Sequence, residues 1–245
     1  MAHPLVSVVI PVRDEAKETV AALQYTLSQL EVYDFYAHCR EVIVVDDGSR
    51  IAIPSATIRH ETPLGYGAAL KSGIQKATGQ LILTMDGDGQ HSAWDAARLL
   101  NFFLYFPENA MVIGDRRLKE RGTRLWGRKA LNWCASLFAH RWIPDLNSGL
   151  RIFRRDVAVG YLPILSDQFS FTTSLTLAML ADGYSVDWLS VKVGIRKQGT
   201  TKVRVLQDGW RTLRLILWIG LALNTRTVRR WLRPVITPFR RAFHL

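Results

Sequence analysis

Cysteine is nearly missing from this chain. Cys39 and Cys134 are the two in 245 residues. A disulfide framework is thereby excluded. Each sits in an apolar or aromatic stretch with no partner at metal-ligand spacing, so a reducing, cytosolic setting is expected. Long apolar runs are missing too: the longest, 213–223, falls short of the ~20 residues that span a bilayer. Met1-Ala2-His3-Pro4 leads into no basic stretch with a long apolar run behind it, so no secretory signal is expected. Repeats and low-complexity segments are also absent. What remains is 48% hydrophobic, enough to bury the core of one globular domain with an appendage, or of two small domains.

Acid is scarce at one end. From Arg196 onward twelve basic residues face the single acid Asp208, and this accounts for the whole net charge of +11; residues 1–195 carry 20 charges of each sign. A neutral body with a basic tail argues against a nucleic-acid partner, because the tail's arginines are interleaved with apolar and aromatic residues rather than spread over the body. Arg229-Arg230-Trp231-Leu232-Arg233 and Phe239-Arg240-Arg241-Ala242-Phe243 have the composition of amphipathic helices lying in a membrane interface. The division expected is a catalytic domain over 1–202 and a membrane-associating tail over 203–245.

The body alternates. Residues 6–12, 41–45, 80–85 and 110–114 are short apolar, β-branched-rich runs of the kind that form buried strands. Between and after them, 15–30, 65–77, 93–106 and 124–139 show helical spacing. Such alternation predicts an α/β fold, a Rossmann-like, mainly parallel sheet with helices on both faces. Ligands of such sheets bind beyond the carboxyl ends of the strands. Polar clusters fall at each of those ends: 11–15, 46–49, 86–91 and 114–117.

The most informative of these is Asp86-Gly87-Asp88-Gly89-Gln90-His91. Two carboxylates one residue apart can grip one divalent cation, and the glycines let a diphosphate approach the backbone. Mg²⁺ or Mn²⁺ takes oxygen ligands and commonly completes its shell with substrate phosphates; Gln90 could add a carbonyl oxygen. Asp-Gly pairs are ordinary turn formers, but here the pair follows a buried strand among other strand-end clusters. Asp46-Asp47-Gly48-Ser49 could accept hydrogen bonds from a base or ribose, or simply end its strand. Pro11-Val12-Arg13-Asp14-Glu15 could cap the first helix. Gly65-Tyr66-Gly67 before a helix has the look of a phosphate-cradling loop but lacks a further glycine at dinucleotide-fold spacing.

Taken together, these residues resemble glycosyltransferase family 2, with its GT-A fold, and within it the polyprenyl-phosphate branch typified by dolichyl-phosphate mannose synthase. The likeness rests on a strand followed by Pro-x-x-x-Glu, on Val-Asp-Asp-Gly-Ser and on Asp-x-Asp-x-Gln-His, in the family's order. Asn147-Ser148-Gly149-Leu150-Arg151, Gly114-Asp115-Arg116 and Gly199-Thr200-Thr201-Lys202 are similar to further elements of the branch. It covers roughly 6–223. Departures are Asp14 for the usual Asn, Gly87 and Gly89 for larger residues, and Thr200 for Ser. The resemblance implies that Pro11, Val12, Glu15, Asp46, Asp47, Asp86 and Gly87 bind the nucleotide. It implies that Asp86, Asp88 and Gln90 hold the metal and diphosphate, and that Arg116, Ser148, Arg151 and Lys202 surround the acceptor phosphate. Asp86, Asp88, Arg116 and Arg151 are thus the catalytic candidates.

The activity expected is an inverting transfer of a sugar from a UDP- or GDP-sugar to a polyprenyl phosphate, dolichyl or undecaprenyl, by a peripheral protein at the cytoplasmic membrane face. A phosphate monoester with a second pKa of about 6 is already anionic at neutral pH and needs no general base. None is assigned; Asp167 is the one local carboxylate near 169–174, and His91 is expected to be structural. One alternative is a family 2 enzyme extending a cell-envelope glycan with Asp167 as base. Another is a basic membrane-surface or nucleic-acid binding module. A homo-oligomer is compatible with the sequence.

Overall fold

The computed structural model describes residues 5–14, 28–29, 38–116, 123–139, 141–192 and 213–214. The helix expected over 15–30, Glu15, Arg117, Lys202 and the 202/203 domain boundary with its basic tail lie outside the described residues, apart from the short pieces 28–29 and 213–214.

Seven strands form one sheet: β1 (Val6–Val12), β2 (Cys39–Asp46), β3 (Ile58–Arg59), β4 (Leu81–Thr84), β5 (Asn109–Arg116), β6 (Arg151–Arg154) and β7 (Ser185–Val191). Their spatial order is β3-β2-β1-β4-β6-β5-β7. All seven residues of β1 are buried, as a central strand covered on both faces requires. It pairs in parallel with β2 and with β4, whose ladder stops at Val9↔Thr84. Pro11 lies two residues past that stop, where its missing N–H costs the β4 ladder nothing.

Alternate residues of β1 face opposite layers. Val8, Ile10 and Val12 join Leu83, Met85 and the buried side of helix α2 (Ala93–Tyr105). Val9 points the other way, with Ile43, Val45 and Ile82, toward helix α1 (Tyr66–Lys76) and, further along, toward α4 (Arg155–Val159) and α5 (Phe171–Ala181). A third cluster joins α3 (Thr123–Ala139) to α5 through Ala135, Ile143, Leu146 and Leu177. Helices therefore cover both faces, as expected. Ser92 starts α2 by accepting the Asp95 backbone N–H at 3.1 Å.

The expected strands and helices up to residue 139 are present within two residues at each end, outside the undescribed 15–30. The sheet is not purely parallel. β6 runs antiparallel between β4 and β5. Strand periodicity carries no sign of direction, so alternation alone could not reveal this reversal. Among the described residues no helix is long and apolar enough to cross a membrane.

Candidate active site

The chain leaves β4 through Thr84 and buried Met85 and emerges at Asp86, whose side chain is 28% exposed. The Tyr66 hydroxyl, from the first turn of α1, donates to Asp86 Oδ1 at 2.8 Å. His91, buried at the far end of the same loop, places Nε2 3.3 Å from Oδ2. Beneath the carboxylate lies Gly149, whose carbonyl accepts the Thr84 hydroxyl at 2.8 Å. A Cβ at Gly149 would collide with both carboxylate oxygens, so glycine there is what leaves Asp86 its place. Burial pushes the Asp86 carboxyl toward the neutral form, but the hydrogen bonds and charge of His91, the Tyr66 bond and the Arg116 charge outweigh it and hold its pKa down at about 2. Burial and the Asp86 charge push the Tyr66 phenol well up, so it stays a donor at neutral pH.

Asp88 follows in a tight turn in which it accepts the Gln90 backbone N–H at 3.0 Å. Gly87 packs on the end of β1, against Val12 and the Pro11 carbonyl. Pro11 and Val12 thus lie under Gly87, the residue next to Asp86. Among the described residues no three His, Cys, Asp or Glu side chains cluster as a self-sufficient metal site. An ionised Asp86 with Asp88 and the Gln90 amide is an all-oxygen set that fits Mg²⁺ or Mn²⁺ whose remaining ligands come from a diphosphate.

Asp46 and Asp47 are buried and serve the protein's own backbone. Asp46 accepts Ser49 N at 2.9 Å and Ile53 N at 3.2 Å, with Arg59 3.7 Å away. Asp47 accepts Leu64 N at 2.8 Å and Gly65 N at 2.9 Å, and pairs with His60 Nδ1 at 2.8 Å. His60 reaches on to Ser72 of α1 at 2.9 Å. The turn Gly65-Tyr66-Gly67 is built into this arrangement. Asp47 takes the amides of Leu64 and Gly65, the Asp167 carbonyl takes Ala68 N at 3.1 Å, and both glycines make room for the backbone of 166–168. Asp14 adopts φ 45°, a left-handed conformation that Asn and Asp both tolerate, so its departure from the family's Asn is conformationally neutral. Its backbone N–H donates to Ser49 Oγ at 2.9 Å, which laces the ends of β1 and β2 together.

Arg116 ends β5, and its guanidinium grips the buried Asp145 with Nε–Oδ2 at 2.8 Å and Nη2–Oδ1 at 3.1 Å. Arg151 opens β6 and is only 1% exposed. It donates to the carbonyls of Ser148 and Thr172 and to the Thr176 hydroxyl, the last two at 3.0 Å. Burial lowers its pKa to about 10, with the Tyr66, Asp145 and Asp86 charges opposing that fall. Arg151 is therefore a strut that fixes the 146–148 loop to α5, not an open ligand for a phosphate. Ser148 is fully buried, and its hydroxyl has no hydrogen-bond partner among the described residues. Next to it, Asn147 Oδ1 accepts the Thr173 hydroxyl at 2.6 Å. Asp167 is 59% exposed and paired with Lys71 at 2.7 Å; two residues on, Phe169 stacks on Tyr66 at 5.2 Å.

Sequence reasoning missed Tyr66, Asp145 and Gly149 as parts of the site. Asp145 carried a signal, an acid alone in the apolar stretch Ile143-Pro144-Asp145-Leu146, where burial would demand a cationic partner.

A family model described as glycosyl transferase family 2 matches residues 7–161. The chain is similar to the dodecaprenyl-phosphate galacturonate synthase of Rhizobium johnstonii, 26% identical over 86% of this chain and 64% of that protein. It is similar to an undecaprenyl-phosphate 4-deoxy-4-formamido-L-arabinose transferase of Pseudomonas syringae, 26% identical over 70% of this chain and 56% of that one. A dolichyl-phosphate beta-glucosyltransferase of Trichomonas vaginalis is 27% identical over 62% and 54%. The chain thus spans less than two thirds of the length of these relatives. Among solved structures, glucosyl-3-phosphoglycerate synthase from Mycobacterium tuberculosis, in complex with Mn²⁺, UDP-glucose and phosphoglyceric acid, superposes with a TM-score of 0.69 at 18% identity, covering 91% of this chain and 80% of that one.

Proposed function

The chain belongs to glycosyl transferase family 2, and on that premise we propose that it transfers a sugar, with inversion, from a UDP- or GDP-sugar to a polyprenyl phosphate. The observation that carries this reading is the ionised carboxylate of Asp86 at the mouth of β4, locked by Tyr66 and His91 and followed by Asp88. A carboxylate that neither moves nor protonates near neutral pH suits the binding of a leaving group rather than proton transfer. The three relatives named above act on polyprenyl or dolichyl phosphates by name, and the solved neighbour holds phosphoglyceric acid. Each of those is an anionic phosphate compound.

Asp86 and Asp88, with Gln90, would hold a divalent cation, which when bound offsets the charge that develops on the departing nucleoside diphosphate. Pro11, Val12 and Gly87 wall the donor's side of the loop. Asp46 and Asp47 shape the neighbouring loops from below, and nucleotide contact through those loops is part of the proposal, with Glu15 as a further candidate. Arg116, oriented by Asp145, faces the acceptor phosphate, with Lys202 as a further candidate, while Ser148, fully buried like Arg151, supports the loop from behind; a planar guanidinium suits that task because it can serve two oxygens at once. An acceptor already anionic near pH 7 needs no base. The 2.7 Å Lys71–Asp167 pair occupies the carboxylate that a glycan-extending enzyme would use instead. Residues 1–202 would form the catalytic unit and 203–245 a membrane-associating tail, which places the enzyme peripherally at the cytoplasmic membrane face.

The test is transfer of radiolabelled sugar from a panel of UDP- and GDP-sugars to polyprenyl phosphate in detergent, with Mn²⁺, Mg²⁺ or chelator. Label in the organic-extractable fraction, lost with chelator and in Asp86→Asn, is the expected outcome. Label entering soluble saccharide while polyprenyl phosphate stays unlabelled would overturn it.

A further inference from the structure

Helix α1 starts without a side-chain cap of its own. Its N-cap residue is Gly65, which has no side chain to accept the amides of the first turn. The segment 165–169, which leads into α5, serves that turn from about a hundred positions away. The Asp167 carbonyl accepts Ala68 N at 3.1 Å. Gln168 Nε2 donates to the Leu64 carbonyl at 3.3 Å, and Lys71 Nζ donates to the Leu165 carbonyl at 2.6 Å. A Cβ at Gly65 would meet the Asp167 carbonyl oxygen, and one at Gly67 would meet the backbone of 166–168. Glycine at both places is what lets the two segments close on each other.

Tyr66 is the first residue of that helix. A helical side chain ordinarily leans on the turn before it, and at the first position there is no such turn. Phe169 takes its place. The two rings stack with centroids 5.2 Å apart and planes 18° from parallel. With its ring held, the phenol reaches across to Asp86 and donates to Oδ1 at 2.8 Å. The contacts thus run in series from 165–169 to Tyr66 and from Tyr66 to the carboxylate that follows β4. In this series the Asp167 carbonyl has a part and the Asp167 carboxylate has none.

We propose that Phe169 is a positioning residue for the metal site, which together with the backbone of 165–168 holds Tyr66 in the rotamer that fixes Asp86. The proposal rests on the reading of Asp86 as a ligand of the divalent cation and is independent of the acceptor. A carboxylate fixed from behind offers its remaining lone pairs to a cation in one direction, and loss of such a supporting group typically lowers metal affinity about 10–100-fold.

The test is the Mn²⁺ affinity of the full chain, followed by electron paramagnetic resonance in the presence of UDP and, separately, of GDP. Tyr66→Phe keeps the stack and removes the hydroxyl; Phe169→Leu removes the stack and keeps the hydroxyl. Each should weaken Mn²⁺ binding about tenfold. Because the two act in series, the double variant should bind within about twofold of Tyr66→Phe alone. Phe169→Tyr, which keeps a ring over Tyr66, should bind within about twofold of the unaltered chain. Phe169 is 36% exposed, and Phe106, 37% exposed at the far end of α2 and in ring contact with Phe102, is its match for lost packing. Phe106→Leu should leave Mn²⁺ binding unchanged.

Unchanged affinity in Phe169→Leu would overturn the proposal, as would a loss equal to that in Phe106→Leu. Additive losses in the double variant would also overturn it, because Phe169 would then act on the bound nucleotide or cation and not through Tyr66. An unaltered chain that binds no Mn²⁺ with either nucleotide would remove the metal role of Asp86, and the proposal with it. The expected pattern in a chain that leaves polyprenyl phosphate unlabelled would uphold the positioning role and overturn the acceptor reading alone.

Discussion

Both oxygens of the Asp145 carboxylate are committed to Arg116, at 2.8 Å to Nε and 3.1 Å to Nη2, and Oδ2 also lies 3.3 Å from the Arg116 backbone nitrogen. A surface arginine at the end of a strand would sample many rotamers. This one is fixed from the backbone outward, which makes Asp145 the positioning residue for the group proposed to meet the acceptor.

Asp145→Asn should therefore cost more than a surface change. It leaves Arg116 with half its fork unpaired, and breaking a buried pair costs on the order of 3 kcal/mol. The acceptor KM should rise about tenfold or more while the donor KM stays within about twofold. Arg116→Lys, which keeps the charge but not the fork, should reproduce the acceptor defect. A coupling energy near zero in the Asp145/Arg116 double-mutant cycle would contradict the positioning role.

Gly149→Ala adds one methyl group where the Asp86 carboxylate sits. The backbone or Asp86 must move, at an overpacking cost of about 1–3 kcal/mol. Transfer should fall about a hundredfold, because a carboxylate displaced by an ångström no longer matches the diphosphate. The check is kcat beside a thermal melt, with the loss in kcat larger than a small loss of stability explains.

Asp167→Asn separates the two acceptor classes. Its carboxylate is largely exposed and its partner is Lys71. Transfer to polyprenyl phosphate should stay within about twofold of the unaltered chain. A fall of about a hundredfold or more, the range of a lost general base, would instead make Asp167 catalytic and favour an alcohol acceptor.

Acid should destabilise the protein partly through Asp46. Burial raises its pKa, but the hydrogen bonds from Ser49 and Ile53 and the Arg59 charge win, so the folded value lies below the ordinary one. The folded state then binds its proton less readily than the unfolded state does. The stabilisation is present above the unfolded pKa of about 3.9 and is lost as pH falls through the lower folded value. Melting temperature against pH should drop below about pH 4, and Asp46→Asn, less stable at neutral pH, should show a shallower drop.

Much of this architecture was legible because central strands and their flanking helices write burial into local composition. Val6–Val12 reads as buried on both faces, and it is. Asp86 and Asp88 stand out because polar residues that directly follow such a strand must fall at its carboxyl edge. Arg151 was named through motif resemblance, yet its donors serve Ser148, Thr172 and Thr176; a motif preserves a residue without saying what it touches.

The sequence by itself determined the alternation of elements, the edge of the sheet that carries the candidate site and the acidic pair proposed to mark it. Tertiary structure alone decided that β6 runs antiparallel, and that Tyr66 and Gly149 close around Asp86 from 20 and 63 positions away. Periodicity and turn chemistry act over a few residues, whereas the protonation and placement of Asp86 depend on groups that meet it only after the sheet has assembled.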